Sequence, residues 1–75
     1  MSVSYNKLWK LLIDKNMSKT ELRNLAGVST NVIAKLGRND TVSMDSLAKI
    51  CAVLDCNIGD IMDISNGREA KAKNV

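Results

Sequence analysis

Thr30, Asn31, Ala34, Lys35 and Arg38 are spaced so that one side of an α-helix would carry all five. That side is small, polar or basic and holds no carboxylate, so it can approach a polyanion without repulsion. Its chemistry is hydrogen bonding to base edges. Asn31 matches adenine with paired bonds, Lys35 reaches the guanine acceptors, and Thr30 bonds either a base edge or a phosphate, with Val32 flanking a thymine methyl. A helix of this width fits the roughly 12 Å major groove of B-DNA. Hydroxyls, amides and cations surround the face in a pattern that would grip phosphate: Ser18, Lys19 and Thr20 before it, Ser29 at its start, and Arg38, Asn39 and Thr41 after it. A merely polar surface helix would share some of these traits. The charge order of the chain argues against that reading: residues 15–39 hold five cations against Glu21 alone, and residues 40–64 hold five aspartates against Lys49 alone. The molecule is expected to be a dipole with a basic end turned to nucleic acid.

Other chemistry finds little support. There is no His, no glycine-rich phosphate loop, and no Ser or Cys with a base partner, so no enzyme and no cofactor are expected. Cys51 and Cys56, five residues apart with no His in the chain, make a poor zinc site or staple and read as reduced structural thiols. Asp60 and Asp63 are too few to cage a cation and read as the solvated side of a last helix. No small-molecule effector is in sight.

The elements that must position the reading face announce themselves at their starts. An apolar residue, a capping residue and an apolar partner four positions beyond the cap occur five times: Val3-Ser4 with Leu8, Met17-Ser18 with Leu22, Val28-Ser29 with Ile33, Val42-Ser43 with Leu47, and Cys56-Asn57 with Ile61. Glu21 completes a capping box with Ser18, and Asp60 repeats that role for Asn57. Stops are expected at Asn16, Gly27 and Gly37 in the left-handed conformation. The link Ala26-Gly27-Val28 is so short that the second and third helices must cross steeply, as in a helix-turn-helix. The apolar stripe predicts a core of Tyr5, Leu8, Leu11, Leu12, Leu22, Leu25, Ala26, Ile33, Leu36, Leu47, Ile50, Cys51, Leu54, Ile58, Ile61 and Met62. Trp9 and Ile13 are expected to close that core against the last helix rather than form a subunit contact.

Length and composition agree. Seventy-five residues with no Phe, no Pro, one Trp and one Tyr suit one all-α, compact five-helix bundle. Residues 1–64 form the predicted helix-turn-helix DNA-binding domain, and residues 65–75, with Arg68, Lys71 and Lys73, a flexible basic tail. No apolar run long enough for a membrane span and no signal segment occur, so a cytoplasmic location is expected.

The segment Met17-Ser-Lys-Thr-Glu-Leu-Arg-Asn-Leu-Ala-Gly-Val-Ser-Thr-Asn-Val-Ile-Ala-Lys-Leu-Gly resembles the Cro/repressor-type (XRE-like) helix-turn-helix family. Val42 to Leu54 is similar to that family's fourth helix, and Asn57-Ile-Gly-Asp-Ile-Met to the fifth helix of its short branch. The resemblance implies a lambda-repressor-like domain whose third helix reads duplex DNA, often as a homodimer on a symmetric operator, as a repressor or autoregulator. Carried over, base reading falls on Thr30, Asn31 and Lys35, and phosphate contact near Lys19, Ser29, Arg38 and Asn39. Two positions depart from the pattern. Lys19 stands where Gln is frequent, giving a charge contact for a base contact. Arg23 stands where a small residue packs the helix pair, so its stem must lie along the pair with its head in solvent. The competing reading is an interaction module on the same fold, such as the antitoxin partner of a toxin.

Overall fold

The protein is described here by a computed structural model, which covers residues 2–65. In chain order it contains β1 (Ser2–Ser4), α1 (Asn6–Asp14), α2 (Lys19–Ala26), α3 (Thr30–Gly37), α4 (Met44–Leu54), a 3-10 turn (Ile58–Asp60) and β2 (Asp63–Ser65). α2, α3 and α4 each begin on a serine that accepts a first-turn amide: Ser18 from Glu21, Ser29 from Val32 and Ser43 from Ser46. The capping box is complete at α2, where the Ser18 amide donates to Glu21 Oε1 at 2.9 Å.

All four helices end in one way. The amide two residues beyond the last turn bonds back across six residues: Met17 to Leu12, Val28 to Arg23, Asp40 to Lys35 and Cys56 to Cys51, at 2.9–3.3 Å. Between each pair sits a left-handed residue: Asn16, Gly27, Asn39 and Asp55, with φ of 55°, 70°, 59° and 53°. This is the Schellman arrangement. Asn16 and Gly27 stand where the sequence put them, but Gly37 does not; it lies within α3 without a positive φ, and the stop falls on Asn39. The reason is tertiary. Arg38 still donates to the Ala34 carbonyl, carrying the winding past Gly37, and Asn39 Oδ1 then accepts the Tyr5 amide at 3.2 Å, which pins the reversal there.

Tyr5, Leu8, Leu12, Leu22, Ala26, Leu36, Leu47, Ile50, Leu54 and Ile61 form the buried core, all of them on the predicted stripe. Leu11, Ile33, Cys51 and Met62 pack on it half-buried. Leu25 is 62% exposed, against expectation, because α2 turns Leu22 and Ala26 inward against α3 and α4 and that leaves Leu25 on the far side. Ile58 is also exposed. Trp9 packs on the core, whereas its expected companion Ile13 points into solvent, 77% exposed.

The expected fifth helix is a single 3-10 turn, giving four α-helices among the described residues in place of five. Its start is as predicted, with the Asn57 amide donating to Asp60 Oδ2 at 3.0 Å. It stops because the residues after it pair elsewhere: β2 runs antiparallel to β1, with Val3 opposite Ile64 and Ser4 opposite Asp63. Pairing also moves the first helix start. Ser4 belongs to β1, Tyr5 takes the position flanking α1, and Ser4 Oγ accepts the Asn6 amide instead. Asp63 therefore lies on the strand, not on a helix beside Asp60, and pairs with Lys7 at 3.1 Å. Of the expected tail, Ser65 is the last residue of β2, opposite Ser2; Arg68, Lys71 and Lys73 lie outside the described residues.

Candidate nucleic-acid interface

α2 and α3 are separated by Gly27, Val28 and Ser29 alone, and the left-handed Gly27 makes the corner. A side chain at this φ would be strained even though open space surrounds the position. Leu22, Ala26 and Leu36 bury the inner sides of the two helices. Thr30, Asn31 and Ala34 are left exposed on α3, with Val32 and Lys35 half-buried at its margins. The side chains of Asn31 and Lys35 have no hydrogen-bond partner among the described residues, so their polar ends are available for an outside ligand. At eight residues α3 is about 12 Å long, enough to lay a few side chains against successive base pairs.

The starts of α2 and α3 converge. Lys19, Thr20, Arg23, Thr30 and Ile33 line an open cleft of about 230 Å³ containing two cations, two hydroxyls and no carboxylate. Ser18 precedes Lys19 and Ser29 precedes Thr30 in the chain, and each hydroxyl oxygen accepts a backbone amide and keeps its proton to donate. Glu21 lines a separate hollow with Leu12, Ile13, Met17 and its capping partner Ser18. Lys19 Nζ lies 4.5 Å from the centroid of the Trp9 ring, a cation–π contact that holds the lysine at the rim.

Arg23 does what sequence reasoning did not foresee. Its head is not left to solvent: Nη1 donates to Thr30 Oγ1 at 2.9 Å and Nη2 to Asn24 Oδ1 at 3.2 Å. Seven residues separate Arg23 from Thr30, and only the steep corner brings them together, so helical spacing gave no signal of the pair.

Beyond the other end of α3 the expected phosphate groups are already partly engaged. Arg38 Nε pairs with Asp40 Oδ2 at 3.1 Å, both exposed. Asn39 Oδ1 accepts the Tyr5 amide, which leaves Nδ2 as its outward donor. The Tyr5 hydroxyl donates to the Asp40 carbonyl at 2.7 Å, and burial, helped by the charge of Asp40, raises its pKa above the usual 10.0. Thr41 is not brought to this group; it stands at the rim of an apolar groove of about 370 Å³ with Val3, Met44, Ile58 and Ile64.

The two cysteines are free and half-buried. Among the described residues no three His, Cys, Asp or Glu side chains stand where they would hold a metal ion. No described helix is long and apolar enough to cross a membrane.

Comparison with known proteins bears on the same segment. The family model for the Cro/C1-type HTH DNA-binding domain matches residues 7–66. No curated protein matches. The crystal structure of the transcriptional regulator VanUg, form II, is similar with a TM-score of 0.80 and 56% sequence identity, covering 83% of each chain. A match over four-fifths of the length, on a chain whose α2 and α3 meet at a three-residue corner, identifies this protein as a member of the Cro/C1-type helix-turn-helix DNA-binding family.

Proposed function

We propose that the protein is a sequence-specific double-stranded DNA-binding regulator of transcription, acting in the cytoplasm as a repressor or autoregulator, with α3 in the major groove. The observation that carries this is the outer side of α3 together with the acid-free cleft at its start. Thr30, Asn31 and Lys35 read base edges, Val32 touches a thymine methyl, and Ser18, Lys19, Thr20, Ser29, Arg38 and Asn39 hold the backbone. Thr41 reaches phosphate only where the strand passes the far end of α3. Similarity to a transcriptional regulator supports the regulatory role.

The regulator binds as a homodimer on a two-fold symmetric site in this reading. The groove with exposed Met44 and Ile64 favours a partner surface and is the observation on which the competing interaction-module reading rests.

Selecting bound duplexes from a random pool at two salt concentrations tests the proposal. The expected result is a symmetric motif whose affinity falls steeply with salt. Salt-independent behaviour without any motif, with chemical shifts of residues 29–39 unmoved by duplex, would refute it.

A further inference from the structure

The Arg23–Thr30 bond fixes more than the angle between two helices. A guanidinium has no acceptor, so this contact necessarily uses a lone pair of Thr30 Oγ1 and leaves the hydroxyl proton directed elsewhere. Arg23 has no carboxylate partner among the described residues, so its charge is not cancelled. A cation 2.9 Å from the oxygen repels a second incoming donor and polarises the O–H, which strengthens its donation. Asn24 Oδ1 holds the other guanidinium nitrogen and keeps the head from swinging away. Lys19, the other cation of the cleft, is drawn toward Trp9, which leaves Arg23 as the charge acting on Thr30.

Resting on the proposed function above, we infer that Arg23 is a positioning residue that presents the Thr30 hydroxyl as a proton donor, so the duplex must offer an acceptor there. On a base edge that acceptor is guanine O6 or N7, adenine N7 or thymine O4, and cytosine, which offers the amino donor, is rejected. On the backbone it is a phosphate oxygen.

The test is a double-mutant cycle on the full chain, using duplexes taken from the wild-type selection with each base placed in turn at the positions facing the start of α3. Wild type, Arg23→Gln, Thr30→Val and the double variant are compared, with Arg23→Lys and Thr30→Ser as conservative controls. The expected result is that either single change lowers affinity about tenfold. The double change is expected to lower it no further, while the serine variant keeps the wild-type preference and the lysine variant part of it. If Thr30 meets a base, the loss is confined to one position and cytosine becomes tolerated there. If it meets phosphate, the loss is equal for all sequences.

Additive losses overturn the inference, and so does an Arg23→Gln variant that lowers the salt slope by about one while Thr30→Val changes nothing, since Arg23 would then touch phosphate itself. A variant that loses only melting temperature, with preference intact, overturns it too. Should Arg23→Gln not fold, Arg23→Lys made with and without Thr30→Val decides: the lysine change must lower affinity in the wild-type background and leave it unchanged in the Thr30→Val background, and equal losses in both overturn the inference. A wild-type chain that binds no duplex defeats the proposed function instead, a separate outcome.

Discussion

Gly37→Ala should stabilise the domain, and Asn39→Ala should destabilise it. Gly37 is the last residue of α3, its φ is not positive, and a Cβ built there meets nothing within 4 Å. Alanine fits without strain and lowers the entropy of the unfolded chain, a gain of about 0.5–1 kcal/mol, with the lower half expected at a helix end. Asn39 has a φ of 59° and accepts the Tyr5 amide at 3.2 Å. Alanine there adds left-handed strain of about 1 kcal/mol and removes a hydrogen bond whose loss costs about 1 kcal/mol more. Asn39→Gly separates the two effects, because glycine accepts the conformation and only the bond is lost. Urea melts with a common slope are the assay, read beside thermal melts in which each kcal/mol moves the midpoint by about 4–8 °C in a domain this small. The expected order is Gly37→Ala above wild type, then Asn39→Gly, then Asn39→Ala. Equal losses for the two Asn39 variants would refute the backbone argument. A loss at Gly37→Ala would mean that the helix stop lies at the glycine after all.

Lys35→Ala should relax preference at one base position by about 1–3 kcal/mol, whereas Lys19→Ala should weaken all duplexes alike and lower the salt slope by about one, both read from titrations at several salt concentrations. Stability should fall as pH rises above 9: burial chiefly, with the Cys51 thiol beside it and the charge of Asp60, pushes Cys56 from 9.0 to about 11 against the opposing pull of Lys15. The folded thiol keeps its proton where the unfolded one loses it, so the contribution is complete below 9 and gone above about 11; Cys56→Ala should flatten that part of the curve in denaturant melts. Tyr5→Phe should cost about 1–2 kcal/mol by leaving the Asp40 carbonyl without its partner, and should weaken duplex binding without altering which base is preferred. A changed preference would put Tyr5 in the reading machinery.

The sequence was most legible where the signal was local. Ser18, Ser29 and Ser43 cap through bonds that span three residues, and the Leu and Ile of the core repeat at helical spacing, so both could be read without knowing what lies across the molecule. It misled where a distant partner decided. Nothing near Asn57 says that residues 63–65 pair with residues 2–4, and that pairing shortens the last helix and moves the first cap from Ser4 to Tyr5. Gly37 carried the stronger intrinsic preference for a left-handed stop, yet Asn39 won because its side-chain oxygen accepts the backbone amide of Tyr5, 34 residues away. Leu25 shows the limit of the apolar stripe itself: an eight-residue helix has room to bury only part of three adjoining apolar positions, and Leu22 and Ala26 took it.

These distant bonds matter because α3 is too short to hold its own shape. Eight residues lie well under the length at which a helix is stable alone in water, so its reading side is only as well placed as its two ends. At the start, Ser29 caps the helix and Arg23 reaches across from α2 to its first residue. At the end, Asn39 and Asp40 are tied to Tyr5, a core residue 1% exposed. The Tyr5 anchor lies outside the side that would read bases, whereas the Arg23 anchor ends on Thr30 itself, so Asn31 and Lys35 are free to vary in identity without loosening the frame and a change at Thr30 gives up the Arg23 bond. Sequence preference can therefore change by substitution at a few exposed positions of α3, while stability is set by residues such as Leu22, Leu36 and Tyr5 that would never meet a base.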